Sequence, residues 1–120
     1  MIDSRKMAER MAEAADDRKA KDITLIEIEQ VSTVADYFVV CTGTSTTQVK
    51  AIADSVGDAM EKDGHAQPRV EGGREGRWVL LDYGVVVVHV MLDEEREFYG
   101  LERLWKNGRV EPWQAPPAVV

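Results

Sequence analysis

Two apolar runs, RWVLLD and VVVVHVM, give the chain its clearest pattern, and a Tyr-Gly dipeptide separates them. Gly84 can adopt the positive φ angle that a two-residue turn requires, so the pattern predicts a β-hairpin with strands near 77–82 and 85–91. A turn at the Tyr-Gly dipeptide would place Trp78 opposite His89 on the neighbouring strand.

Side chains alternate between the two faces of a strand, so this hairpin has faces of different chemistry. One face is entirely aliphatic and is predicted to be core. The other mixes aromatic, acidic and imidazole side chains, and we interpret it as the candidate binding face. The aliphatic face consists of Val79, Leu81, Val86, Val88 and Val90. The candidate binding face carries Trp78, Leu80, Asp82, His89 and Met91.

Apolar residues at three- and four-residue spacing predict three helices, of which the second is the strongest. Its stretch, TTQVKAIADSVGDAMEKD, follows hydroxyl residues that can cap it and ends just before Gly64, a typical helix stop. The continuous apolar run YFVVC before it predicts a strand that is covered on both faces. The predicted helices lie near 4–16, 46–63 and 93–106, and the remaining strands near 23–28, 37–42 and, as a short fifth, 69–71.

The third predicted helix extends the candidate binding face. Asp93 can cap it, whereas Gly100 weakens it and could split it into two pieces. In a continuous helix Phe98 would lie on the inward side. The candidate binding residues on this helix are Tyr99, Glu102 and Trp105.

The order of these elements predicts an α/β class protein, a single domain with a mixed β-sheet flanked by helices. Its length of 120 residues suits one core, and its formal charge of −7 argues against nucleic-acid backbone as the main partner. A basic protein is the better expectation. The domain is predicted to span 1–107, and the proline-rich segment 108–120 is predicted to be an unstructured tail.

Composition narrows the kinds of site and of cellular location that the chain could have. The one cysteine, Cys41, lies in an apolar run, so we expect a packing role in a reducing compartment and no intrachain disulfide. One cysteine and two histidines do not make a structural zinc site. Without a signal peptide or an apolar run of membrane-spanning length, a cytoplasmic location and no membrane partner are expected.

The GTST turn before the second helix is the one enzyme-like motif. A glycine followed by hydroxyl residues at a helix N-terminus can offer backbone N–H groups to a phosphate, as in a nucleotidyltransferase. Such an enzyme also needs paired carboxylates for metal ions, but no Asp-x-Asp follows the turn and Asp82 stands alone at the hairpin tip. We therefore favour simple helix capping, with the nucleotidyltransferase as the alternative.

Four segments, ADYFVVCTGTSTTQVKAIAD, WVLLDYG, VVVHV and EEREFYGLERLW, together resemble the ribosomal silencing factor family, also called RsfS or Iojap. The resemblance covers about residues 3–107 and leaves the tail outside. It implies a nucleotidyltransferase-like topology without the metal-binding acids. One departure is Val85, where the family pattern leads us to expect an acidic residue after DYG.

The resemblance also implies what the protein does. A member of this family is not an enzyme and uses no cofactor. It binds the large ribosomal subunit through ribosomal protein fourteen, blocks subunit joining and represses translation when nutrients are short. The contact is expected on the C-terminal half of the chain, without sequence-specific nucleic-acid recognition. Self-pairing of the hairpin into a homodimer stays open as an alternative use of the apolar-aromatic face.

Overall fold

The computed structural model of the chain describes residues 3–28, 35–100 and 109–115, with the side chain of Tyr99 left out. Three helices and six strands lie within these ranges. In chain order they are α1 (Ser4–Asp16), β1 (Lys21–Glu27), β2 (Tyr37–Gly43), α2 (Thr46–Lys62), β3 (Arg69–Glu71), β4 (Trp78–Asp82), β5 (Val86–Leu92), α3 (Asp93–Tyr99) and β6 (Arg109–Pro112).

The strands form one mixed sheet in the order β3-β4-β5-β2-β1-β6. β2 and β5 pair in parallel at its centre, with Tyr37 opposite Val86, and every other neighbouring pair is antiparallel. Parallel neighbours need a long crossover connection, and α2 followed by β3 and β4 supplies it. The predicted α/β class, the mixed sheet and the short strand at 69–71 are confirmed.

The main core lies between α1, α2 and one face of the sheet. Helix α2 buries the predicted apolar stripe, and the aliphatic face of the hairpin packs in the same cluster. The thiol of Cys41 is fully buried there, and burial raises its pKa to about 12, which agrees with a packing role. Sequence periodicity was sufficient to predict these core residues, because the stripe of α2 and the aliphatic face of the hairpin pack against the same core.

The hairpin register differs from the predicted one by two residues. Tyr83 N–H donates to the carbonyl of Val86, so Gly84 and its neighbour Val85 form the turn instead of Tyr83 and Gly84. Gly84 has φ +85° and thereby occupies the first turn position, which glycine favours. Trp78 consequently lies opposite Met91 rather than His89. Because the shift is an even number of residues, both predicted faces keep their members.

Helix α3 is shorter than predicted. It ends at Tyr99, where Gly100 adopts a left-handed conformation at φ 55° and donates its N–H to the carbonyl of Arg96. A continuous helix over 93–106 is therefore wrong, and 101–106 lies outside the described residues. Phe98, predicted to face inward, is 82% exposed. Asp93 occupies the first turn but is not the cap, since Leu92 holds the capping position without a side-chain bond.

The tail predicted to be unstructured contains β6, so that prediction is wrong for 109–112. β6 pairs antiparallel with β1, placing Val110 opposite Ile26, and Trp113 N–H donates to the carbonyl of Ile23. The guanidinium of Arg5 in α1 holds Glu111 at 2.8 and 3.2 Å. The prolines of this segment argued against a strand, because proline cannot donate a hydrogen bond to a sheet. In the structure Pro112 is the last residue of β6, where that matters least.

Replacing Glu111 tests how the last strand is held. Hydrogen bonding from Arg5 holds the pKa of Glu111 below its usual range, so this contribution exists at neutral pH and disappears as pH falls through the carboxylate range. Both side chains are more than a third exposed, so we expect Glu111→Gln to lower the free energy of unfolding by only about 0.5–1 kcal/mol at neutral pH. Urea denaturation at several pH values measures it.

The control is Glu75→Gln, an exposed carboxylate away from β6. It should leave the free energy of unfolding within about 0.5 kcal/mol of wild type at each pH. An equal loss in both variants, or a Glu111→Gln loss that persists in acid, would contradict the assigned role of the Arg5–Glu111 pair.

Candidate partner-binding surface

The candidate binding face of the hairpin lies on the side of the sheet opposite α1 and α2. Its apolar members join a second, smaller core cluster built around Phe38 of β2 and Ile26 of β1. Within this cluster Met91 is fully buried, whereas Trp78 and Leu80 are only partly buried at its periphery. The face thus combines a core underneath with an aromatic and aliphatic edge that reaches solvent.

His89 lies beneath that edge and is 4% exposed. Its Nδ1 accepts a hydrogen bond from the Trp78 indole N–H at 3.1 Å, and its ring meets that of Phe38 edge-on at 4.8 Å between centroids. Burial lowers the pKa of His89 to about 4, so the imidazole is neutral at pH 7. In a neutral ring whose Nδ1 accepts, the proton is on Nε2. His89 therefore orients Trp78 rather than presenting itself to a partner.

Asp82, at the tip of the hairpin, has a local structural role as well as partial exposure. Its Oδ1 accepts the backbone N–H of Gly84 at 2.8 Å, which stabilises the turn. Of the five hairpin residues predicted from sequence, the three with solvent access are Trp78, Leu80 and Asp82.

The acidic first turn of α3 is partly neutralised from within the chain. Arg77 pairs with Glu95 at 2.7 Å and with Glu94 at 3.7 Å, and its backbone carbonyl accepts the N–H of Leu92. Carboxylates at a helix start also interact favourably with its dipole. These contacts give Glu94 and Glu95 structural explanations, so they are weaker candidates for a partner than the hairpin residues.

Arg96 is the residue at this surface that sequence reasoning missed. Its guanidinium donates to the carbonyl of Asp22 and to the hydroxyls of Thr24 and Thr42 at 2.5 to 2.9 Å. Both threonines are buried, so Arg96 satisfies polar groups that would otherwise lack these bonds. The partners lie more than 50 residues away in sequence, and no local pattern signals them.

Three further predicted site residues cannot be placed. The side chain of Tyr99 and the whole of Glu102 and Trp105 lie outside the described part of the chain. The end of α3 at Tyr99 means that the predicted continuous helical face is not what would bring them to the hairpin. Their part in the binding surface stays a prediction.

The GTST turn caps α2. Ser45 Oγ accepts the N–H of Gln48, and Gln48 Oε1 in return accepts the N–H and the hydroxyl of Thr44. This reciprocal arrangement is a variant of the capping box. Gly43 is required for packing, because a Cβ there would approach Val49 Cγ2 to 2.8 Å. These contacts explain the motif without a phosphate.

The described residues hold neither a metal-binding cluster nor a membrane-spanning helix. Over 3–28, 35–100 and 109–115, no group of three or more His, Cys, Asp or Glu side chains is arranged to hold a metal ion. In the same ranges, no helix has both the length and the apolar character needed to cross a membrane.

The model of one protein family, ribosomal silencing factor during starvation, matches residues 1–118. The chain belongs to the ribosomal silencing factor family. A ribosomal silencing factor from Bacillus subtilis is 48% identical over 94 residues, which cover 78% of this chain and 80% of that one. A mouse protein named mitochondrial assembly of ribosomal large subunit protein 1 is 34% identical over 89 residues, or 72% of this chain and 39% of that protein.

Solved structures agree with this membership in the ribosomal silencing factor family. A crystal structure of a Chromobacterium violaceum protein superposes with a TM-score of 0.85 at 35% identity, covering 99% of this chain and 94% of that one. The family match extends to residue 118, so the segment after 107 lies within the family pattern, contrary to the prediction. Family membership assigns the protein to ribosome-associated regulation of translation.

Titration of His89 gives a testable pH dependence in this silencing factor. Its folded-state pKa, about 4, lies below the ordinary value of 6.5, so the unfolded state binds the proton more readily. The contribution of neutral His89 is complete above the ordinary value and is lost as pH falls from about 6.5 towards 4. We expect His89→Gln to remove a pH-dependent term on the order of 3 kcal/mol.

Urea denaturation of wild type and His89→Gln between pH 7 and pH 4 measures that difference. The amide oxygen of glutamine can still accept the Trp78 N–H, so the bond need not be lost. His65→Gln, outside the second core cluster, is the matched control for a histidine-to-glutamine substitution. Parallel profiles for wild type and His89→Gln would contradict a buried neutral imidazole.

Removing Arg96 tests the attachment of α3. Arg96→Met leaves Thr24 and Thr42 without the guanidinium, and a lost charged hydrogen-bond donor to buried groups costs about 2–3 kcal/mol of unfolding free energy. Arg69→Met, at an exposed position on β3, should cost less than about 0.5 kcal/mol. Urea denaturation gives both values, and similar losses would argue against the anchoring role.

Proposed function

We propose that this protein binds ribosomal protein fourteen of the large ribosomal subunit and thereby blocks joining of the small subunit when nutrients are short. The proposal rests on membership in the ribosomal silencing factor family and on the name of the mouse relative, which refers to the large subunit. Its site is the solvent-accessible part of the hairpin face, and its compartment is the cytoplasm.

The observation that carries the site is the position of Trp78. Its indole is partly exposed, and its N–H is held by His89 from below. A large aromatic side chain that is already oriented loses little conformational freedom on binding, and such residues commonly dominate interface energetics. Leu80 lies beside it on the same face, so the two form an apolar anchor.

Charge supports a basic protein as the partner. The chain carries 22 acidic and 15 basic residues, and Asp82 adds a carboxylate at the rim of the anchor. Complementary charge raises the rate of association more than it raises the final affinity. Acidic residues around the anchor would therefore speed docking onto a basic ribosomal protein, while the aromatic contact would set the lifetime of the complex.

The proposed activity is binding rather than catalysis. The rival, a nucleotidyltransferase, would use the GTST turn, but Gln48 and Ser45 already take the N–H of Thr44 and Gln48 there. No second acidic residue lies two positions from Asp82 in the sequence, so the paired carboxylates of such an enzyme are missing there. The Oδ1 of Asp82 already accepts the N–H of Gly84. No observation favours the rival, and the proposal includes no cofactor.

Truncation of the aromatic anchors is the decisive experiment. We expect Trp78→Ala and Tyr99→Ala to weaken binding to isolated ribosomal protein fourteen by about 2 kcal/mol or more, roughly thirtyfold, at low and high salt. Glu102→Lys should weaken it most at low salt, because a rim charge acts through a screened interaction. Isothermal titration at two salt concentrations measures all three, alongside cosedimentation with purified large subunits.

Val70→Ala is the matched control. Val70 is 51% exposed on β3, the strand beside β4, but it lies opposite Leu81 on the face of the sheet away from Trp78, so its loss should change affinity less than about twofold. Circular dichroism of each variant comes first, since Trp78 also packs on the second core cluster. Folded Trp78→Ala and Tyr99→Ala variants that bind like wild type would place the contact elsewhere.

A further inference from the structure

A groove of about 440 Å³ runs between α2 and the edge of the sheet at β3. Its floor is apolar, formed by the buried side chains of Val79 and Leu81 together with exposed Val70. Val79 and Leu81 belong to the aliphatic face of the hairpin, so the groove and the Trp78 anchor lie on opposite faces of the sheet. The groove is thus a second surface, separate from the proposed ribosomal contact.

The wall of the groove on α2 is acidic. Asp54, Asp58 and Glu61 are exposed along it, against a single cation, Lys50. None of the three carboxylates forms an ion pair with any residue that the structure describes. The excess of negative charge therefore faces the groove unneutralised.

Three features of this wall oppose helix stability. Asp54 and Asp58 are like charges four residues apart, which repel on a helix, and Glu61 lies near the C-terminal end, where the dipole disfavours an anion. Gly57, in the middle of the helix, makes the helix less stable than alanine would at the same position. A Cβ at Gly57 would meet nothing within 4 Å, so no packing contact requires the glycine. Local conflicts of this kind cluster at functional sites.

The other wall is a free strand edge. In the sheet order β3 is terminal, and within the described ranges it pairs only with β4. Val70 lies opposite Leu81, so its side chain and the groove are on the same face. An extended chain that pairs with β3 would therefore point every second side chain into the groove.

We propose that this groove binds an extended, basic segment of a partner protein, which adds to β3 as a further strand. Lysine or arginine side chains of the segment would meet the three carboxylates on α2, and its apolar side chains would cover Val70 and the floor. The missing side chain at Gly57 leaves the room for this chain. A neutral or acidic segment would meet uncompensated carboxylates instead, which gives selectivity for a basic one.

Fluorescence anisotropy with a labelled peptide that alternates lysine and valine tests this proposal, and a peptide alternating glutamate and valine is its counterpart. We expect the basic peptide to bind at least roughly tenfold more tightly than the acidic one. Its binding should shift the amide resonances of Val70 and Glu71, together with those of Asp54 to Glu61, in a two-dimensional NMR titration. Shifts confined to the Trp78 face would overturn the proposal.

Two variants should block the groove without unfolding the protein, so loss of binding in them reports on the groove. Gly57→Leu fills the groove with a better helix former. Asp58→Lys turns the repulsive spacing from Asp54 into an attractive one and gives up the attractive spacing to Lys62, so the two effects on helix stability offset each other. Gly57→Leu should raise the melting temperature by about 4 °C, Asp58→Lys should leave it close to that of wild type, and each should weaken basic-peptide binding roughly tenfold. Gly57→Ala should stabilise likewise yet keep at least half of the affinity.

Asp17→Lys is the charge-matched control, since Asp17 is exposed at the end of α1 and does not line the groove. Equal weakening in Asp17→Lys and Asp58→Lys would mean that net charge alone attracts the peptide, and the proposal would fall. Sedimentation velocity tests whether a second copy of this chain, instead of a partner segment, occupies the groove. Self-association that Gly57→Leu abolishes would assign the groove to the second copy. Binding to large ribosomal subunits should be unchanged in all groove variants, which keeps this test independent of the Trp78 assignment.

Discussion

β2 and β5 pair in parallel along their whole lengths, with Tyr37 opposite Val86 at one end and Gly43 opposite Leu92 at the other. A parallel pair at the centre of a sheet is covered on both faces, because its strands carry apolar side chains on both faces that must be kept from water. Every residue of β2 is buried, and so is every residue of β5 except Leu92. The rest of the molecule can be understood as the means of covering these two strands.

Coverage differs between the faces, and that difference creates the surfaces of the protein. On one face α1 and α2 bury a large aliphatic cluster, and the groove lies between α2 and the sheet edge at β3. On the other face a smaller cluster around Phe38 leaves Trp78 and Leu80 partly accessible. The protein thus has an incompletely covered sheet face, which is the proposed ribosomal contact, and an acidic groove on its reverse side.

Polar contacts between distant segments hold the periphery. Arg96 ties α3 to the buried threonines of β1 and β2, and Arg5 ties α1 to the last strand. His89 fixes the indole of Trp78 by a single hydrogen bond beneath the surface. These contacts are made by side chains whose partners lie in other elements, and each positions a segment that apolar packing alone would leave loosely held.

The sequence by itself determined the α/β class, the central strands, α2 and the two faces of the hairpin, because period-2 and period-3.6 patterns are local and face one core. It also indicated the family, through four segments in a fixed order. Only the tertiary structure decided the hairpin register, the end of α3 at Gly100, the burial of His89 and Met91, and the strand at 109–112. Register depends on which residue takes the turn, and β6 depends on the free edge of β1 and on Arg5, more than 100 residues away. Such pairings are long-range, and no local pattern encodes them.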